Sequence, residues 1–252
     1  MTIQEFFQEN PIAAVAFSGG VDSAFLLHEA ARYAEKTAAY FVQTPFQPSF
    51  EQEDARETAA RVGVDLTVIE FDILTVPEAA SNPPDRCYYC KRALFTLLQT
   101  RARADGFPLI LDGGNASDDA GDRPGMRALR ELGVRSPLRE CGVTKSDVRR
   151  LSHEAGLPVW SKPSYACLAT RVPSGTPITA ESLRRVAEGE SALMACGLID
   201  FRLRLRDENA LLQVRLEQME LARQLLTSPP EALKKNFGAV ILDEAPRIPR
   251  ET

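Results

Sequence analysis

The stretch Ile12-Ala13-Ala14-Val15-Ala16-Phe17 runs directly into Ser18-Gly19-Gly20-Val21-Asp22-Ser23, and an apolar helical pattern starts at once. A buried-strand pattern that enters a glycine pair and then a helix is the wiring of an anion site. The glycines permit positive φ and close backbone approach, and the free N–H groups of the helix's first turn face the anion. Ser18 and Ser23 add hydroxyl donors. Asp22 would repel a bare phosphate, so it predicts a magnesium–nucleotide complex. No Lys follows, and the glycine spacing differs from Gly-x-Gly-x-x-Gly. The loop is therefore neither the lysine-bearing phosphate loop nor a dinucleotide fingerprint.

The pattern beyond the loop keeps alternating. A helix is expected from Asp22 to Lys36, a strand at Ala38–Gln43, a helix at Ser49–Val62 with Ser49 as N-cap and Gly63 as stop, and a strand at Leu66–Phe71. After the irregular Asn82-Pro83-Pro84-Asp85, a helix from Cys90 to Arg103 and a buried strand at Pro108–Asp112 follow. Repeated βα units predict a doubly wound parallel sheet whose site lies at the carboxyl ends of the strands. A second loop, Asp112-Gly113-Gly114-Asn115-Ala116-Ser117-Asp118-Asp119, leaves the last of these strands where it can meet a nucleotide held by the first. Thr144 to about Ala155 is a further helix, stopped by Gly156.

The proline-punctuated segment from Pro158 to Pro177 breaks the pattern. A domain boundary is expected there, dividing residues 1–165 from a smaller α+β unit, 166–252. In that unit Thr179 caps a helix to Ala195 with the apolar stripe Leu183, Val186, Leu193 and Met194, and Glu190 sits among those positions. A carboxylate there requires a partner or a cation. Phe201-Arg202-Leu203-Arg204-Leu205-Arg206 alternates strictly, so a strand aligns Arg202, Arg204 and Arg206 on one face, as a grip for phosphate or carboxylate or as a solvated edge. Leu211–Leu216 returns as a hairpin, Glu217–Leu226 is helical, and Phe237–Leu242 is a last short strand.

Thirty basic and 35 acidic residues give a net charge of −5, which disfavours an extended nucleic-acid surface and points to a small-molecule substrate. No apolar run is long enough to span a membrane, and the start lacks a signal-peptide pattern, so a cytosolic protein is expected. Five cysteines then suggest reactive or metal-bound thiols over a disulfide framework. Cys87-Tyr88-Tyr89-Cys90 and Cys167 make three thiols. They fall short of a tetrahedral zinc set, because His28 and His153 both sit in helical patterns, but they suit a 4Fe-4S cluster with one open iron. On spacing alone the Cys-x-x-Cys stays open between redox pair, metal site and accident. Cys141 and Cys196 read as small apolar residues.

The Ser-Gly-Gly-Val-Asp-Ser loop resembles the PP-loop of the ATP pyrophosphatases, which split ATP between the α- and β-phosphates and adenylate a substrate oxygen. Taken with Asp85-Arg86-Cys87-Tyr88-Tyr89-Cys90-Lys91, Asp112-Gly113-Gly114-Asn115, Arg123-Pro124-Gly125, Ser136-Pro137-Leu138 and Lys162-Pro163-Ser164-Tyr165-Ala166-Cys167-Leu168-Ala169-Thr170-Arg171, it resembles the LarE family of ATP-dependent sulfurtransferases. That resemblance implies ATP and Mg²⁺ at Ser18, Gly19, Gly20, Val21, Asp22, Ser23, Gly113 and Asn115. It implies an acceptor, pyridinium-3,5-biscarboxylic acid mononucleotide, held by Arg171, Arg202, Arg204 and Glu190, and sulfur delivered from Cys167. Sulfur comes either from that side chain, leaving dehydroalanine, or from a cluster on Cys87, Cys90 and Cys167. A homo-oligomer acting in nickel-pincer cofactor synthesis is also implied. The chain departs from the family at Leu211-Leu212-Gln213, which lacks a carboxylate, at Gly114 and Ser117, and at its ending, Leu242-Asp243-Glu244-Ala245-Pro246-Arg247. A tRNA thiolase, an ammonia-using amidoligase and a non-enzymatic nucleotide sensor are the competing readings.

Overall fold

The computed structural model describes residues 1–118, 123–163 and 165–248, without the side chain of Ser49; Asp119 and Ser164 lie outside the described residues. The first sheet is built from β1 (Ile12–Ala16), β2 (Lys36–Gln43), β3 (Leu66–Glu70) and β4 (Ile110–Leu111), in the order β3-β2-β1-β4 and parallel throughout. Alternation along β1 divides its side chains between two cores. Ala13 and Val15 pack with the helices Ile3–Glu9, Val21–Tyr33 and Lys145–Glu154. Ala14 packs on the other face with the helices Arg86–Ala104 and Pro124–Glu131. Helices on both faces of a parallel sheet make the doubly wound α/β arrangement that the sequence predicts.

β4 is shorter than expected. Pro108 has no N–H to give, and at the far end Asp112 donates its N–H to the Arg135 carbonyl at 2.9 Å, so the sheet edge passes to a neighbouring segment. The helix Arg86–Ala104 starts before Cys90, directly behind Pro83-Pro84-Asp85, which puts Cys87 and Cys90 on consecutive turns of a single helix. Gly63 ends the helix Ser49–Val62 in the left-handed conformation at φ 79°, as expected, but the N-cap position belongs to Pro48 and not to Ser49.

The second sheet holds β5 (Arg202–Arg206), β6 (Asn209–Gln213) and β7 (Val240–Leu242). β5 and β6 form the expected hairpin, and β7 joins parallel to β6. The helix Ala180–Ala195 covers the sheet through Leu183, Val186 and Leu193, opposite Leu203, Leu205 and Leu212. Gly189 is needed at that contact, because a Cβ there would come within 2.6 Å of the Leu203 side chain. The core beneath this sheet also recruits Phe46, Ile73 and Ala79 from the first half of the chain, and Leu168, Ala169 and Val172 from the proline-rich segment. Among the described residues, no helix is long and apolar enough to cross a membrane.

Candidate active site

β1 and β4 are hydrogen-bonded neighbours, and the loops leaving their carboxyl ends meet. Gly19 takes φ 72°, in the region that suits glycine, and Gly20 is the N-cap of the helix Val21–Tyr33. Ser18 and Ser23 brace the turn, with their hydroxyls 3.1 Å apart and Ser23 donating to the Gly20 carbonyl. The second loop approaches so closely that a Cβ on Gly113 would stand 2.8 Å from the Ser23 nitrogen. Asn115 Nδ2 donates to Asp22 Oδ1 at 3.1 Å, and Lys145 Nζ lies 2.6 Å from Asp22 Oδ2. Lys145 also donates its backbone N–H to Ser117 Oγ at 2.9 Å. Two distant segments therefore converge on one carboxylate at the helix start.

A cavity of about 290 Å³ borders this loop and is shared by Ser18, Gly20, Asp22, Glu51, Lys162 and Cys167. The loop carrying Cys167 is anchored on several sides. Leu168 donates its N–H to the Phe46 carbonyl at 2.8 Å, Arg86 Nη1 to the Ala169 carbonyl at 2.9 Å, and Arg204 Nη1 to the Thr170 carbonyl at 2.8 Å. Arg171 Nη1 closes the loop on itself through the Ala166 carbonyl, at 3.0 Å.

Arg171 and Glu190 are buried together, with side chains 0% and 1% exposed. Arg171 Nε donates to Glu190 Oε1 at 2.7 Å and Nη2 to Oε2 at 3.1 Å. Glu190 also accepts from the Tyr165 hydroxyl and from the Leu203 N–H. The partner that a carboxylate in an apolar stripe requires is thus supplied within the chain. This network fixes the ends of the Cys167 loop to the second sheet. Tyr165, buried against the Glu190 charge, has its phenol pushed up from the usual range.

Arg202 and Arg204 line a larger cavity of about 1050 Å³ together with Lys145, Arg149, Arg215 and Arg247. It meets the thiol cavity at Lys145, Pro163 and Tyr165. Burial, helped by the charges of Arg171 and Arg247, lowers the Arg202 guanidinium to about 10. Arg204 is lowered for the same leading reason and stays held by Gln213, its Nε 2.6 Å from Oε1. The glutamine at 213 leaves Arg204 uncompensated there, which keeps the cavity cationic. Arg206, further along the same strand, is exposed.

Cys87, Cys90 and Cys167 belong to one neighbourhood. Arg86 Nη2 lies 3.9 Å from Cys87 Sγ and 4.0 Å from Cys167 Sγ. Burial first, and then the other two thiols, push Cys90 up to about 12; burial likewise raises Cys167 against the pull of Arg86. Among the described residues, however, no three His, Cys, Asp or Glu side chains form a group that could hold a metal ion. The thiols are gathered but do not converge as ligands, and the Arg86 guanidinium lies against two of them, so the expected 4Fe-4S site finds no support in this arrangement. Four contributors escaped sequence reasoning as site groups: Glu51, Arg86, Lys145 and Lys162. Arg86 and Lys162 stand in quoted motifs, whereas Glu51 and Lys145 reach the site only through tertiary packing.

No family model matches the chain. An uncharacterized protein of Synechocystis sp. is 36% identical over 221 residues, covering 86% of this chain and 82% of that protein. The pyridinium-3,5-bisthiocarboxylic acid mononucleotide synthase of Lactiplantibacillus plantarum is 31% identical over 202 residues, 79% of this chain and 73% of the synthase. The chain belongs to the LarE family. LarE enzymes are PP-loop sulfurtransferases that use ATP, and this chain is an enzyme of that class. A tRNA-specific 2-thiouridylase of Acidithiobacillus ferrooxidans is 28% identical over 60% of this chain and 51% of its own length, a likeness that reaches the PP-loop superfamily only.

Proposed function

We propose that this LarE protein adenylates a carboxylate of pyridinium-3,5-biscarboxylic acid mononucleotide and converts it to a thiocarboxylate with the sulfur of Cys167, a step of nickel-pincer cofactor synthesis. The observation that carries the proposal is the sharing of one cavity by Cys167 and the Ser18–Asp22 loop, with an arginine-lined cavity opening beside it. MgATP enters as substrate with its outer phosphates on the loop N–H groups and Ser18, Ser23 and Asp22 about them; Gly113 and Asn115 close the other side. A carboxylate is a poor electrophile, so its oxygen attacks the α-phosphorus and pyrophosphate leaves. The acceptor carries phosphate and carboxylate charges, which Arg202 and Arg204 complement, while Arg171 and Glu190 fix the loop from behind.

The Cys167 sulfur then attacks the acyl carbon, and the C–O bond to AMP breaks with its electron pair going to AMP. Removal of the Cys167 α-proton cleaves Cβ–S, leaving dehydroalanine in the chain and the thiocarboxylate on the product. The same reading divides the chain at about residue 165 and makes it a cytosolic homo-oligomer, checked by limited proteolysis and by sedimentation.

Incubation with MgATP and the dicarboxylated nucleotide tests the reaction. Pyrophosphate release, loss of the mass of H₂S from the intact chain and a thiocarboxylate product are expected; Cys167→Ser should retain the first and lose the others. Stoichiometric iron and acid-labile sulfide after anaerobic purification, with an unchanged chain after several turnovers, would move the sulfur source from the side chain to a cluster. Transfer of free ammonia by Cys167→Ala would move the enzyme to the amidoligases.

A further inference from the structure

The cavity that holds Cys167 contains six titratable side chains: Asp22, Glu51, Lys145, Lys162, Tyr165 and Cys167. Five of them are committed or carry the reacting sulfur. Asp22 is paired with Lys145 at 2.6 Å. Lys162 is paired with Asp54 at 2.6 Å. Tyr165 donates to Glu190, and Cys167 is the sulfur itself. Glu51 is left. It stands in the first turn of the helix Ser49–Val62, half-buried, and its carboxylate makes no hydrogen bond or ion pair with any described residue.

The charges that reach Glu51 from surrounding elements are Lys162, Asp54 and Arg171. Both cations pull it down only in part, since Lys162 is also held by Asp54 and Arg171 by Glu190. Burial consequently dominates, and it pushes the Glu51 carboxyl up to about 7. The Cys167 thiol lines the same cavity and has the complementary problem, because an ordinary thiol keeps its proton on sulfur at neutral pH. A protonated thiol is a weak nucleophile and needs an acceptor for that proton as it attacks. Lys145 and Lys162 are ion-paired ammonium groups without a free electron pair.

We propose that Glu51 is the proton acceptor for Cys167 in the sulfur-transfer step. The S–H proton moves to the Glu51 carboxylate as the sulfur–carbon bond forms, and AMP departs with the electrons of the broken carbon–oxygen bond. No oxidant or reductant enters. The proposal rests on the assignment of Cys167 as sulfur donor made above.

The test is a single-turnover measurement with MgATP and the dicarboxylated pyridinium nucleotide across the pH range, reading pyrophosphate and thiocarboxylate separately. For the wild type, pyrophosphate release should be followed by sulfur transfer whose rate climbs with pH through an inflection near 7. Glu51→Gln should slow sulfur transfer by roughly a hundredfold or more relative to pyrophosphate release, and lose the inflection. Glu51→Asp should recover part of the rate and keep an inflection. Wild-type sulfur transfer in Glu51→Gln, or equal loss of both steps in both variants, overturns the role of Glu51. Failure of the wild type itself to release pyrophosphate on this acceptor overturns the proposed function, and the sulfur step falls with it. Difference infrared spectroscopy of wild type against Glu51→Gln supplies a check without acceptor: a protonated carboxyl band should disappear near pH 7, and its absence at pH 5 overturns the proposal.

Discussion

Asp22 and Lys145 are 123 residues apart in sequence and 2.6 Å apart in space. The contact joins the start of the helix after β1 to the start of the helix Lys145–Glu154, with Asn115 of the second loop on the other carboxylate oxygen. The ammonium offsets the one negative charge in the loop proposed to receive the ATP phosphates.

Lys145→Ala should therefore weaken MgATP binding by roughly tenfold to a hundredfold, an effect on the order of 1.4 to 3 kcal/mol. Isothermal titration would show it. Lys145→Arg keeps charge but adds bulk beside Asp22, so it should restore only part of the affinity.

Gly113→Ala should lose ATP-dependent pyrophosphate release without unfolding. The added methyl carbon would stand 2.8 Å from the Ser23 backbone nitrogen, so one of the two loops must shift. Misplacement of a reacting group by about 1 Å is commonly worth around a hundredfold in rate. A circular dichroism melt near that of the wild type, alongside the activity loss, would separate the two effects.

Glu190→Gln should destabilise the fold. It strands the Arg171 guanidinium, whose side chain is 0% exposed, and breaking a buried pair from one side costs about 3–5 kcal/mol. Urea denaturation should show the midpoint falling with little change in slope.

The thiols should differ in reactivity. Cys90 is raised to about 12 and Cys167 is raised too, while Cys196 is exposed. At pH 7.5 iodoacetamide should label Cys196 ahead of Cys90 and Cys167, as read by peptide mass spectrometry. Cys90 labelling should keep accelerating as the pH is raised, because only the thiolate reacts.

Glu51 should cost stability at alkaline pH. Its carboxyl lies at about 7 in the folded chain against 4.5 when unperturbed, so between those values the folded state binds more protons and stability falls as pH rises. Glu51→Gln removes that penalty. At pH 8 the variant should be more stable than the wild type by about 1–3 kcal/mol, and the gap should close below pH 4.5. Paired chemical denaturation at the two pH values checks it.

The βα alternation was legible because β1, β2 and β3 are apolar runs between helical periods, and the glycine pair marked the turn from β1 into the helix Val21–Tyr33. Glu190 could be singled out as a carboxylate in an apolar stripe, but its partners, Arg171, Tyr165 and the Leu203 N–H, come from two other segments, the Cys167 loop and β5. The helix Ile3–Glu9 did carry a signal, the Thr2 and Glu5 capping box, which reading the amino end for a leader passes over. Glu51 carries no local mark: it is one of several acidic residues on a helix, and only the cavity it shares with Cys167 distinguishes it. The three thiols show the converse. Three thiols of their kind suited a cluster, whereas the fold sets Arg86 against two of them.

The mutual burial of Arg171 and Glu190 also constrains how this protein can diverge. A lineage that altered either residue alone would pass through an ancestor with a lone charge sealed in its interior, and selection would remove it. The two positions are therefore expected to vary in concert across descendants or to stay fixed together, with Tyr165 following whichever partner retains an oxygen for its hydroxyl.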